Sequence, residues 1–157
     1  MKKLIGSTVI GLISLDILLL LSTPLRAQEV KETGECAATV AEMHDLIEKN
    51  RDVLVSVSRR DISKEYPDHP LNRPNSYEFV MKGSATGTIG NSPEFVKIIA
   101  KRIVNSCNSV SLINFAIYES EGYFTTIGLM PNGKMEIFGC YFGNQGEKEV
   151  WGKQFCF

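Results

Sequence analysis

The sequence predicts an α+β fold, with two amphipathic helices packed on one face of a mostly antiparallel sheet of about five strands. Three observations carry this. Helical spacing appears near 36–50 and 93–106, and strand alternation elsewhere gives the order α-β-β-α-β-β-β. Two turn motifs then fix registers that agree with each other. An even count of four cysteines adds two disulfides to the frame.

The first segment lies outside that domain. Met1-Lys2-Lys3 is basic, and Leu4 to Leu21 is apolar apart from Ser7, Thr8, Ser14 and Asp16. Leu25 and Ala27 then stand three and one residues before a cleavage point, so 1–27 reads as a secretory signal peptide. A retained anchor fits worse, because Asp16 would sit mid-bilayer at high cost. The expected mature chain, 28–157, is a single disulfide-stapled domain, secreted to the periplasm or beyond the cell. It meets the membrane only through the signal during export. Without Lys2, Lys3, Arg26 and Asp16 it keeps 14 basic and 17 acidic residues. That balance argues against nucleic acid, which needs a basic surface to displace counterions.

Cys36 to Asn50 forms the first helix, with Val40, Met43 and Ile47 on one side. "DVLVSVS", 52–58, alternates, so Val53, Val55 and Val57 share a face. "RRDISKEYPDHPLNRPNS", 59–76, is polar with three prolines and reads as a long exposed loop. "YEFVMKG" returns as a strand. In "GSATGTIGNSPEF", 83–95, the glycines match neither a Walker loop nor a dinucleotide fingerprint. The stretch is instead a connection into a helix from Pro93 to about Ser106, with Ser92 as N-cap and Glu94 favourable to the dipole. Phe95, Val96, Ile98, Ile99, Ile103 and Val104 are its inward set.

A three-stranded meander follows. "YESEGY" pairs Glu119 with Tyr123, which sets Ile117 opposite Thr125, Phe115 opposite Ile127 and Ile113 opposite Leu129. "MPNGK" pairs Met130 with Lys134, Leu129 with Met135 and Ile127 with Ile137. Tyr118, Phe124, Phe138 and Cys140 fall on the opposite face, where Trp151 and Phe155 of the tail would cover them as a minor core or line a groove.

All four cysteines, Cys36, Cys107, Cys140 and Cys156, follow the signal. No Cys-x-x-Cys or neighbouring histidine supports zinc, so no metal and no cofactor is expected. Cys107 and Cys140 sit at opposite ends of the meander, about 30 Å apart at the usual rise per residue. Antiparallel helices bring Cys36 to Cys107 and leave Cys140 for Cys156. The pairing Cys36–Cys140 with Cys107–Cys156 stays open.

Catalytic motifs are absent. His44 flanks the first helix and reads as a boundary histidine. His69 stands beside Asp68 in "YPDHP", but no serine occupies a nucleophile elbow. The chain is therefore expected not to be an enzyme. It reads as a binding domain for a protein or small ligand, with Arg59, Arg60, Tyr66, His69 and Arg73 as contact residues on the 59–76 loop. An envelope hydrolase using His69 and Asp68, or a carrier of small apolar ligands on the aromatic face, are the alternatives.

"PLNRPNSYEF", "NSPEFVKIIAKRIVNSCNSV", "IGLMPNGKMEIFGC" and "WGKQFC" together resemble a group of small secreted proteins found mainly in cyanobacteria. The likeness spans roughly Pro70 to the C-terminus. It implies export and a self-contained domain, and brings no catalytic residues with it.

Overall fold

The computed structural model describes residues 34–119, 123–142 and 149–156. The signal-peptide expectation for 1–27 lies outside them, as does the tip of the "YESEGY" turn. The fold is α+β. Helix α1 (Gly34–Glu48) precedes β1 (Leu54–Asp61) and β2 (Asn75–Lys82). A short α2 (Thr86–Gly90) and α3 (Pro93–Ser106) lead to β3 (Val110–Ile117), β4 (Tyr123–Leu129) and β5 (Met135–Ile137). Two short strands, β6 (Gly139–Tyr141) and β7 (Lys153–Phe155), form a separate parallel pair.

The main sheet runs β1-β2-β3-β4-β5. Only the β2–β3 pair is parallel, because α2 and α3 carry the chain back across the sheet before β3 begins. One face packs against α1 and α3. Met43 and Ile47 of α1 and Val96, Ile99, Ile103 and Val104 of α3 meet Phe79, Met81, Ile113, Phe115 and Ile127 there. Each such side chain contributes about 1.5–3 kcal/mol on burial.

Ile98 departs from the expected inward set and is 58% exposed. Ala100, outside the expected inward set, is fully buried instead. Ser92 does stand before the first turn, but its side chain makes no cap: the hydroxyl donates back to Thr88 O at 2.8 Å. The turn added by α2 supplies that acceptor, and it was not anticipated. Gly83 settles why the connection starts on a glycine. At φ +140° it lies so close to Asp52 that a Cβ would sit 2.3 Å from the Asp52 carbonyl oxygen.

The β4–β5 register is as predicted, with Leu129 opposite Met135 and Ile127 opposite Ile137. The β3–β4 register is not. Ile113 faces Ile127 and Phe115 faces Thr125, two residues away from the expected pairing. A two-residue slip keeps every side chain on its face, so the core pattern survives the error. An irregularity between Phe115 and Ala116 leaves Phe124 as an extra residue between Tyr123 and Thr125. Its ring turns to the helix face, 6.3 Å from Phe115, and not to the outer face as expected.

Both disulfides join the preferred partners. Cys36 at the start of α1 bonds Cys107 just past α3, and Cys140 bonds Cys156. They are consistent with an oxidising compartment. No helix among the described residues is long and apolar enough to cross a membrane.

Candidate functional site

The segment expected to be an exposed loop is shorter and far better tied. Strand β1 extends through Arg59, Arg60 and Asp61, and β2 starts at Asn75, which leaves 62–74 as the connection. Its base is closed by the Ile62 amide donating to Pro74 O at 2.8 Å. Successive tight turns follow, with Tyr66 N donating to Ile62 O and Arg73 N to Pro70 O. The Asp61 carboxylate accepts from Ser63 Oγ and Ser63 N; these bonds hold its pKa below the ordinary carboxylate value, helped by His69 nearby.

Two side chains expected at the loop surface point inward. Tyr66 is 3% exposed and packs edge-on against Phe138 and Trp151, at 5.7 and 5.5 Å between ring centres. With Ile62 and Leu112 these rings form a second core on the outer face of the sheet. Gly128 makes room for it, since a Cβ there would lie 2.3 Å from the Phe138 ring. The Tyr66 hydroxyl donates to Lys153 O at 3.2 Å, tying the loop to the tail. Arg73 turns the other way. Its guanidinium donates to Val104 O at 3.0 Å, Val110 O at 2.9 Å and Cys107 O at 3.4 Å, so it caps the C-terminal end of α3.

The remaining candidates do not converge. Arg59 reaches Ser109 Oγ at 3.2 Å, while its neighbour Arg60 points to the opposite side of the strand and pairs with Glu65. Glu65 is nonetheless pushed above the usual carboxylate value, first by burial, then by Glu149 and Glu78, with Arg60 opposing. His69 stays on the loop, half-buried, its Nδ1–H donating to Tyr66 O at 2.8 Å. Asp68, its presumed catalytic neighbour, accepts the Trp151 amide on both oxygens at 3.2 and 3.0 Å. His44 is the boundary residue expected: Nε2–H donates to Val55 O at 3.1 Å.

What the braced loop exposes instead is Leu71, 91% accessible, between Pro70 and Asn72. Asn72 holds φ at +65°, which fixes the bend behind it. Sequence reasoning passed over Leu71 because the loop was read for its charges. The one signal was a lone apolar residue between prolines in a polar stretch. Among the described residues no group of three His, Cys, Asp or Glu is placed to hold a metal ion. No protein-family model, curated protein or solved structure matches this chain.

Proposed function

We propose that the chain is an exported, non-enzymatic binding domain that engages a protein partner through the tip of the 62–74 loop. Leu71 is the apolar anchor, with His69 and Asn72 at its rim. The observation that carries the reading is the 91% exposure of Leu71 on a loop otherwise tied down by Tyr66, Asp68 and Arg73. A pre-ordered loop loses little conformational entropy on binding, and one buried leucine contributes about 1.5–3 kcal/mol. Export is supported by the two disulfides, by the signal-like N-terminus and by the resemblance to small secreted proteins.

The hydrolase reading draws less support, since Asp68 is bonded to the Trp151 amide and the His69 Nδ1–H donates to Tyr66 O, so the carboxylate does not orient the imidazole. The apolar-carrier reading draws less as well, because Trp151, Phe138 and Tyr66 pack directly on one another.

Site-specific photo-crosslinking in the producing cell tests the proposal. A photoreactive residue at 71 is expected to give a discrete protein adduct, while one at exposed Lys101 on α3 gives none. No adduct at 71, or the same adducts at both positions, rules out the loop tip as the binding surface.

A further inference from the structure

The tail carries a second feature, independent of the loop tip. Between β6, β7 and Glu149–Val150 lies a partly enclosed cavity of about 70 Å³, bounded by Tyr141, Glu149, Val150, Lys153, Gln154 and Phe155. That volume holds several water-sized groups. Tyr141 and Phe155 are register partners of the parallel pair and sit side by side. The Gln154 amide oxygen is buried and accepts no hydrogen bond among the described residues.

From this cavity we infer a binding site for a free, small alkylammonium ion. Glu149 and the two aromatic rings favour a positive guest, and Lys153 is the one lining group that opposes it. The ring faces of Tyr141 and Phe155 are the negative side of their quadrupoles. Glu149 brings a carboxylate, and it is one of three acidic groups sharing this side of the molecule: both Glu149 and Glu78 raise the pKa of Glu65. The one cation on the wall already behaves as the guest would, since Lys153 Nζ lies 6.0 Å from the Tyr141 ring centre.

The wall is also pre-formed. Cys140–Cys156 closes the end of the β6–β7 pair, and Lys153 O is held by the Tyr66 hydroxyl. A metal ion suits the place poorly, as only one carboxylate lines it and the rest of the wall is aromatic, aliphatic or amide.

The test compares choline with its neutral isostere 3,3-dimethylbutan-1-ol, titrated into the disulfide-bonded protein and followed by the NMR signals of Tyr141, Gln154 and Phe155. Choline is expected to shift them saturably and to bind about tenfold tighter than the alcohol, the scale of a desolvated cation–π contact. Glu149→Gln is expected to weaken choline about threefold or more, and Lys153→Met to strengthen it by removing the resident positive charge. Equal affinity for the two ligands would show an apolar cavity without charge preference and overturn the assignment. So would the absence of saturable binding by either, or an unchanged affinity in both variants. Leu71→Ser is expected to leave choline binding intact, and Glu149→Gln to leave crosslinking at position 71 intact, so the two proposals fail separately.

Discussion

Arg73 reaches three carbonyl oxygens from one guanidinium, and through them joins the 62–74 loop to the end of α3 and the start of β3. Its own carbonyl accepts from Ser111 Oγ at 2.7 Å, so both ends of the residue are occupied. Carbonyls at a helix C-terminus carry partial negative charge, and a half-buried cation is held there by charge-assisted bonds. Arg73→Met keeps most of the stem and removes those donors. We expect a loss of about 2–4 kcal/mol, read as a lower denaturant midpoint at unchanged slope. Arg73→Lys should recover only part of it, because one ammonium cannot match a planar fork aimed at several oxygens. A variant with wild-type midpoint would mean that the loop is held by its turns alone. In the sequence this arginine was indistinguishable from Arg59 and Arg60. Nothing in "PLNRPNS" says that a helix will end beside it.

The disulfide of the tail, β6 and β7, closes a loop of only 16 residues in separation, against 71 for Cys36–Cys107. A cross-link of that span restricts the unfolded chain by about 3 kcal/mol. Replacing both Cys140 and Cys156 by serine should therefore loosen the tail while leaving the helices and main sheet intact. Trp151 is the only tryptophan and donates from Nε1 to Leu129 O at 3.0 Å, so its emission reports the seating of the tail on the outer sheet face. A red shift with unchanged far-ultraviolet circular dichroism is the expected result; loss of helix signal would show that the tail belongs to the main folding unit. At this scale much of the fold was legible: α1, α3 and the five main strands follow from spacing and turn chemistry, and the disulfides formed are the preferred of the two pairings left open. The β3–β4 slip was not, because Glu119 takes a left-handed φ of +62° just past β3 and an extra residue enters at Phe124. Local turn preference cannot foresee a bulge that tertiary packing selects. The second core was half legible. Phe138 and Trp151 were expected on the outer face, but Tyr66 was assigned to solvent because its neighbours are polar.

Across the whole molecule the main sheet has two edges, β1 and β5, and the longer is β1, where unpaired backbone groups invite another strand. Here α1 blocks one place on that edge. The Val55 amide donates to Glu48 Oε1 at 2.7 Å, and Val55 O accepts from His44 Nε2 at 3.1 Å, so one residue has both outward groups taken by side chains from the helix. His44 is raised above its ordinary pKa, first by its hydrogen bond to Asp45, with Val55 O and the Glu48 charge adding to it. A histidine raised in the folded state contributes stability in full below about pH 6.5 and loses it as pH climbs through the folded value. The edge should therefore be best protected in mild acid and less so above neutrality. Glu48→Ala removes one blocking group outright and leaves Leu54, 70% exposed, beside a free Val55 N–H. We expect its light-scattering mass to exceed that of the wild type at equal concentration, by an amount that grows as pH rises from 6 to 8. Its Val55 amide should also exchange faster with solvent. If the variant keeps the wild-type mass across that range, the exposed serines and arginines of β1 protect the edge unaided, and the α1 contacts serve only to seat the helix.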